Sequence, residues 1–340
     1  MQRCDNEAFK EIAENYDMIT YRTLENLNFP FLLKNIKDAQ DKNFSFKKGV
    51  AVKVDEEHYK IMFGEKFNGF LYRGENNAAY ELCSSLQRVD GIDRCIEWCK
   101  ADQFKTYIKN TPYYTDFPKM VKIDGYKLKI DLTALAQHYG FRTNHIDFTQ
   151  NREVAEFFAY TTCENGIYKP ITDFTKPVKI YQVKLADLIK HNRNYYQIVG
   201  FQIAKRALAQ EAHGLDVSDM DKLDLSIINQ TVFLPDKKRV QEIYEKFDGG
   251  EKLFPVDLMG DIANKMNNDK LGKKHFAITS SSLIKYAKEN KLDYNKLRCA
   301  VSKKGYIIAP GEFYPSENYI QIIQNELLQL KHWINKMLIY

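Results

Sequence analysis

The spacing of apolar positions changes several times along the chain, and each change marks an element. Across residues 5–45, Phe9, Ile12 and Tyr16 recur at helical spacing until Asn28-Phe29-Pro30 interrupts them. GVAVKVD (49–55) reads as a strand, and GFLYRG (69–74) as an aromatic-rich strand that ends on glycine. Residues 91–109 form an amphipathic helix with Ile92, Cys95, Ile96 and Cys99 on one stripe. A second helix runs from Asp131 to His138, with Leu132, Leu135, Ala136 and Tyr139 on one face and Gly140 where a positive φ is wanted. RTNHIDFT is extended. Asn151 then caps a helix, REVAEFFAYTTC, that turns Val154, Ala155 and Phe158 inward.

Further on, KPVKIYQVKLADL (176–188) reads as a strand, residues 233–247 as a helix opening after Pro235, and residues 253–266 as a turn and a closing helix. The polar stretch NDKLGKKH after Asn267 looks like a boundary. Beyond it the pattern predicts two short helices (SSSLIKYAKENK and YNKLRCAVS), a β-hairpin in GYIIAPGEFY, and a last helix through IQIIQNELLQLKHWINKMLIY. Strands and helices alternate without the rhythm of repeated βαβ units. The expected class is therefore α+β, a mixed sheet core with surrounding helices and a small helical and hairpin region at the C-terminal end. The expected division is an N-terminal helical region at 1–59 packing on the core, a core domain at 60–266 and an accessory region at 268–340.

Composition narrows the options. With 340 residues, 44% of them hydrophobic, the chain can bury a sizeable core. Its start, MQRCDNEAFKEIAENYD, is unlike a secretory signal, and its apolar runs fall short of the roughly 20 residues of a membrane helix. A cytoplasmic protein without membrane contact is the expectation. The six cysteines form no CxxC pair, and the i,i+4 pair Cys95 and Cys99 fits a buried helix face, so no metal is expected. The net charge of +5 is uneven: residues 268–340 hold twelve Lys and Arg against six Asp and Glu. That excess makes a nucleic acid or an acidic protein a plausible partner of the tail, against the plainer reading of a solvated charged face. Phosphate-loop, dinucleotide-fingerprint, HExxH and GxSxG patterns are absent from the sequence.

Three segments carry candidate chemistry. Phe70-Leu71-Tyr72-Arg73-Gly74 is followed ten residues on by Ser84-Ser85-Leu86-Gln87-Arg88. Leu135-Ala136-Gln137-His138-Tyr139-Gly140 leads through Asp147-Phe148-Thr149 to Ala155-Glu156-Phe157-Phe158-Ala159. Arg206-Ala207-Leu208-Ala209-Gln210 precedes Gly214, and Leu253-Phe254-Pro255-Val256-Asp257-Leu258 closes the series. Together they resemble the FRG family, named for its Phe/Tyr-Arg-Gly motif, over roughly residues 60–266. Two departures stand out: Asn144-His145 replaces a more hydrophobic pair, and Glu211-Ala212-His213 lengthens the step from Gln210 to Gly214.

The motif order is in turn similar to that of ADP-ribosyltransferases, and this second resemblance implies NAD as a substrate, transferred to an unknown macromolecular acceptor or hydrolysed. On that implication Arg73 grips a pyrophosphate and Gly74 lets backbone approach the ligand, with Tyr72 and Tyr139 beside them. His138 and Thr149 hold a ribose hydroxyl or the nicotinamide amide. Gln210 or Glu211 serves the charge that develops as the glycosidic bond breaks. The resemblance also implies a toxin or defence effector as the biological role. The competing reading is a non-catalytic module that binds phosphate or nucleic acid. Arg73 as half of an ion pair, His138 as a residue of a helix end and Tyr72 as core are the structural readings of the same residues.

Overall fold

The computed structural model describes residues 22–27, 46–63, 67–123, 125–164, 166–202, 204–267 and 277–337. The chain divides into two compact units that it visits alternately: residues 1–82 and 146–256 form the first, residues 83–145 and 257–340 the second. The fold is α+β.

The first pass lays down strands β1 (Arg22–Leu27), β2 (Phe46–Lys53), β3 (His58–Phe63) and β4 (Phe70–Glu75), of which β1 to β3 pair antiparallel in sequence order. Of the helix expected over 5–45, Arg22–Leu27 is a strand and the rest lies outside the described residues. The second pass, in the other unit, contains helices α1 (Gly91–Lys109), α2 (Pro112–Thr115) and α3 (Phe117–Met120), a small hairpin of β5 (Lys122–Ile123) and β6 (Tyr126–Leu128), and α4 (Leu132–His138).

The third pass completes the first unit with β7 (His145–Thr149), α5 (Arg152–Tyr160), the β8 (Thr161–Glu164) and β9 (Ile167–Pro170) hairpin, β10 (Val178–Lys184), α6 (Leu185–Asn192), β11 (Tyr196–Ile198), α7 (Lys205–Ala209), β12 (Ala212–Asp216), β13 (Asn229–Phe233) and α8 (Lys237–Lys246). The last pass returns to the second unit with α9 (Leu258–Asn267), β14 (Ala277–Thr279), α10 (Ser280–Glu289), α11 (Tyr294–Lys303), β15 (Ile307–Ala309) and α12 (Glu317–Met337).

A six-stranded sheet in the order β11-β12-β7-β4-β10-β13 forms the heart of the first unit. Its two faces bury different clusters. Leu71, Ile146, Phe148 and Val183 face one layer with α6, while Tyr72, Val178 and Ile180 face α5 and α8 through Phe157 and Val240. Neighbouring residues of β4 and β10 thus point to opposite faces, as the pleat requires. Each fully buried Leu, Ile or Phe in these layers contributes about 1.5–3 kcal/mol.

In the second unit α1 is the spine. Cys95, Ile96 and Cys99 pack against Ile278, Leu283, Tyr286, Leu297 and Val301, which come from β14, α10 and α11. The chain boundary expected after residue 267 therefore falls inside one compact unit. Three expectations about single elements change. Tyr160 ends α5, so Thr161-Thr162-Cys163 is strand rather than helix, and β10 ends at Lys184, so Leu185-Ala186-Asp187-Leu188 opens α6. The expected hairpin at 305–314 is instead the single strand β15, parallel to β14.

Candidate functional site

Arg73 and Gly74 are neighbours with opposite duties. Gly74 lies on the face of β4 that meets α5, where a Cβ would overlap the Ala155 carbonyl and crowd the Ala159 backbone. Ala155 and Ala159, one helical turn apart, are fully buried. The Arg-Gly and Ala…Phe-Ala segments are thus two halves of one strand–helix contact, and the space above Gly74 holds α5 rather than a ligand. Tyr72, on the same face, is buried in that cluster and its hydroxyl accepts from Asn68 Nδ2 at 2.9 Å.

Arg73 points to the other face. Its Nε and Nη2 donate to Glu75 Oε1 at 3.0 and 2.7 Å, and Nη1 donates to the Asp147 carbonyl at 3.0 Å. The side chain is 18% exposed and that of Glu75 8%. Three of the five guanidinium N–H groups are engaged in this way, which orients the fork and leaves two. Beside the pair, Lys179 is buried, donates to the Tyr80 carbonyl at 3.0 Å and lies over the Tyr181 ring.

At the end of β7 the chain makes a tight polar turn. Thr149 pairs with Tyr72 across the sheet, and its Oγ1 accepts from the Asn151 N–H at 3.0 Å. Asn151 Oδ1 caps α5 by accepting from the Glu153 N–H, as its sequence position implies. Its Nδ2 donates to Glu211 Oε1 at 3.0 Å, and the Gln150 N–H donates to the Glu211 carbonyl at 3.3 Å. Glu211 adopts φ 48°, a left-handed conformation that side-chain-bearing residues rarely take.

Gln210 and Glu211, indistinguishable in sequence, part here. Gln210 is buried and its Nε2 donates to the Leu253 carbonyl at 3.0 Å. Lys205 reaches the Val256 carbonyl, and the Arg206 guanidinium lies over the Phe254 ring. The third motif therefore braces the Leu-Phe-Pro-Val loop through Lys205, Arg206 and Gln210, while Glu211 is bonded to Asn151, whose N–H reaches Thr149.

His138 and Tyr139 belong to the second unit. His138 ends α4, is buried, and precedes a Schellman turn in which the Gly140 and Phe141 N–H groups return to Gln137 and Ala136. Tyr139 is buried and donates its hydroxyl to Asp257 Oδ2. Gln137 Oε1 accepts from Thr143 Oγ1 at 2.6 Å, while the Thr143 backbone is bonded to Ser85 and Leu86. The structure thus brings Tyr72, Arg73, Gly74, Thr149, Gln210 and Glu211 into the first unit and places His138 and Tyr139 in the second.

Glu75 and Asn151 are the partners that the sequence pattern does not reveal. Each holds a candidate residue, and each lies two positions from one, at Arg73 and Thr149. Deeper in the same sheet a buried relay runs from Tyr196 to His213 to Gln150, at 2.8 and 3.2 Å. Burial, with Lys60 nearby, pushes the His213 pKa down to about 3, so the imidazole is neutral. Among the described residues no group of three or more His, Cys, Asp or Glu is placed to hold a metal ion, and no helix is long and apolar enough to cross a membrane.

These features define an α+β protein built on an Arg-Gly strand locked to an Ala…Phe-Ala helix. Residues 68–166 match the family model of the FRG domain, and the chain contains that domain. The match takes in β4, α1, α4, β7 and α5, so it draws on both units. No curated protein and no solved structure matches the chain.

Proposed function

We propose that the chain binds NAD and breaks its nicotinamide–ribose bond, passing ADP-ribose to a macromolecular acceptor or to water. The observation that carries this reading is the carboxylate of Glu211, presented on a left-handed residue and tied by Asn151 to the end of β7 beside Thr149. In the reaction the C–N bond breaks, nicotinamide leaves with the electron pair, and an oxygen or nitrogen of the acceptor bonds to the ribose and loses a proton. Positive charge develops on the sugar during this step, and a fixed carboxylate stabilises it. The two remaining N–H groups of Arg73 suit paired hydrogen bonds to a diphosphate. Such an enzyme would consume a central metabolite, which is the basis for assigning it a toxin or defence role.

The test is release of nicotinamide from labelled NAD by the purified full chain and four variants. Glu211→Gln is expected to lose turnover by roughly 100-fold or more, the scale of a removed transition-state interaction, while still binding NAD. Arg73→Lys is expected to weaken binding nearly as much as Arg73→Ala, because Lys keeps the charge but loses the fork. Glu211→Gly relieves a backbone strain of about 1–3 kcal/mol and gives up the hydrogen bond from Asn151, about 1 kcal/mol. It should therefore be as stable as the parent yet inactive. NAD binding without turnover by the parent chain, or turnover that survives Glu211→Gln, would overturn the assignment.

A further inference from the structure

The second unit contains a helix pair whose outer face has no assigned use. Helix α10 ends at Glu289, and four residues, Asn290 to Asp293, join it to α11. Lys291 adopts φ 53°, the Leu292 N–H returns to the Ala287 carbonyl at 2.8 Å, and the Lys291 N–H to Lys288 at 3.3 Å. This is a Schellman closure with lysine where glycine is usual. Asp293 then caps α11 by accepting from the Lys296 N–H at 2.8 Å. Leu283, Tyr286 and Ala287 of α10 share one apolar cluster with Leu297 and Val301 of α11 and with Cys95 and Cys99 of α1. The pair is therefore fixed to α1, with one side of α11 inward.

The other side of α11 is exposed and consists of Asn295, Lys296, Arg298, Cys299, Ser302 and Lys303. It contains no acidic residue and no large apolar one. Lys285 and Lys304 are committed to ion pairs, with Asp102 at 2.6 Å and Asp93 at 2.9 Å. Lys296, Arg298 and Lys303 form no ion pair with any described residue. Lys288 and Lys291 add exposed cations at the turn, set against Glu289 and the capping Asp293.

We infer that α11 docks in the major groove of duplex DNA, with α10 and the turn set against the phosphate backbone. A short turn that sets a second helix outward is the geometry with which helix-turn-helix proteins enter that groove. Arg, Lys, Asn and Ser are the side chains that pair with base edges there, and surplus cations contact phosphates. The α11 face has no aromatic or leucine side chain, and the exposed Ile284 of α10 and Leu292 of the turn are too few to anchor a lipid surface. The deep, narrow major groove of an RNA duplex excludes side chains that a DNA groove admits. This inference stands apart from the NAD reading, because none of its residues belongs to the first unit.

The experiment is fluorescence anisotropy of a labelled DNA duplex with the full chain, from about 50 to about 200 mM salt, with an RNA duplex of the same sequence in parallel. The triple variant Lys296→Ala, Arg298→Ala, Lys303→Ala is compared with Lys190→Ala, an exposed cation of the other unit. The parent chain is expected to bind DNA more tightly than RNA and to weaken steeply with salt. The triple variant should bind at least about tenfold more weakly at low salt, its log–log salt slope shallower by roughly 2.7, about 0.9 for each phosphate no longer neutralised. Lys190→Ala should match the parent. Circular dichroism and thermal melting check that the variants fold. Equal binding by the triple variant, preference for RNA, or no DNA binding at low salt would each overturn the inference.

Discussion

Gly74 shows how a signature residue can be legible while its reason is not. Sequence suggests a glycine that admits a ligand; the structure fills the place with the backbone of α5 at Ala155 and Ala159. No side-chain shift can make room, since the obstacle is a main-chain carbonyl. Gly74→Ala is therefore expected to destabilise by about 3 kcal/mol or more, the upper end of overpacking costs, seen as a lower urea midpoint at unchanged m-value. A midpoint equal to that of the parent would mean that α5 does not sit this close. The buried His213 offers a second expectation. Its folded pKa of about 3 lies below the ordinary 6.5, so the unfolded chain takes up a proton that the folded chain refuses. Its contribution is present above about pH 6.5 and is lost as pH falls towards 3, by up to about 1.4 kcal/mol per pH unit. Urea unfolding from about pH 7 to about pH 4.5 should show this slope, and His213→Gln should flatten it. A variant slope as steep as the parent's would assign the acid sensitivity elsewhere.

At the scale of elements, the sequence is readable wherever a period and a cap coincide. Helix α1 spans the residues expected of it, Asn151 caps α5 as its position implies, and Asp131, expected as the first residue of α4, is instead its N-cap. It is unreadable where two apolar periods meet without a Gly or Pro between them. Val178–Lys184 alternates as a strand, and Leu185, Leu188 and Ile189 follow at once at helical spacing, so the junction at Lys184 has no local mark. The pairing of β15 is hidden for another reason: its partner β14 lies some 30 residues earlier, beyond any turn signal. The i,i+4 cysteines of α1 are core, as their spacing implies, and they carry a chemical consequence. A hydrogen bond from Cys95, then burial, raise the Cys99 thiol pKa far above its ordinary value, while Cys163 and Cys299 are exposed. Alkylation of the native chain followed by mass spectrometry should label Cys163 and Cys299 and spare Cys95 and Cys99 until denaturant is added. Early labelling of Cys99 would contradict the packing of α1 against α10 and α11.

At the scale of the whole molecule, the chain crosses twice into the second unit, and this is the least legible feature. The polar run after Asn267 has the composition of a linker, and the family resemblance stops just before it, so sequence alone separates a core from a tail. What binds the two segments is non-local. Asp102 of α1 is buried, holds Lys285 at 2.6 Å and accepts from Ser282 Oγ at 2.9 Å. Tyr113 donates to Glu326 of α12 at 2.5 Å, and Ile323 and Leu327 of α12 are buried. Removing residues 268–340 would strip α1 of the cover that Ile278, Leu283, Tyr286 and Val301 supply, and would leave Asp102 without its cation. Each uncovered side chain of this size costs about 1.5–3 kcal/mol, against a total stability of about 5–15 kcal/mol for a typical domain. A chain ending at Asn267 is therefore expected to lose cooperative folding of residues 83–145, with exposed apolar surface and rapid alkylation of Cys95 and Cys99. Thermal unfolding followed by near-ultraviolet circular dichroism of the two chains makes the comparison. A truncated chain that melts cooperatively within a few degrees of the full one, its two cysteines still protected, would restore residues 268–340 as a separable appendage.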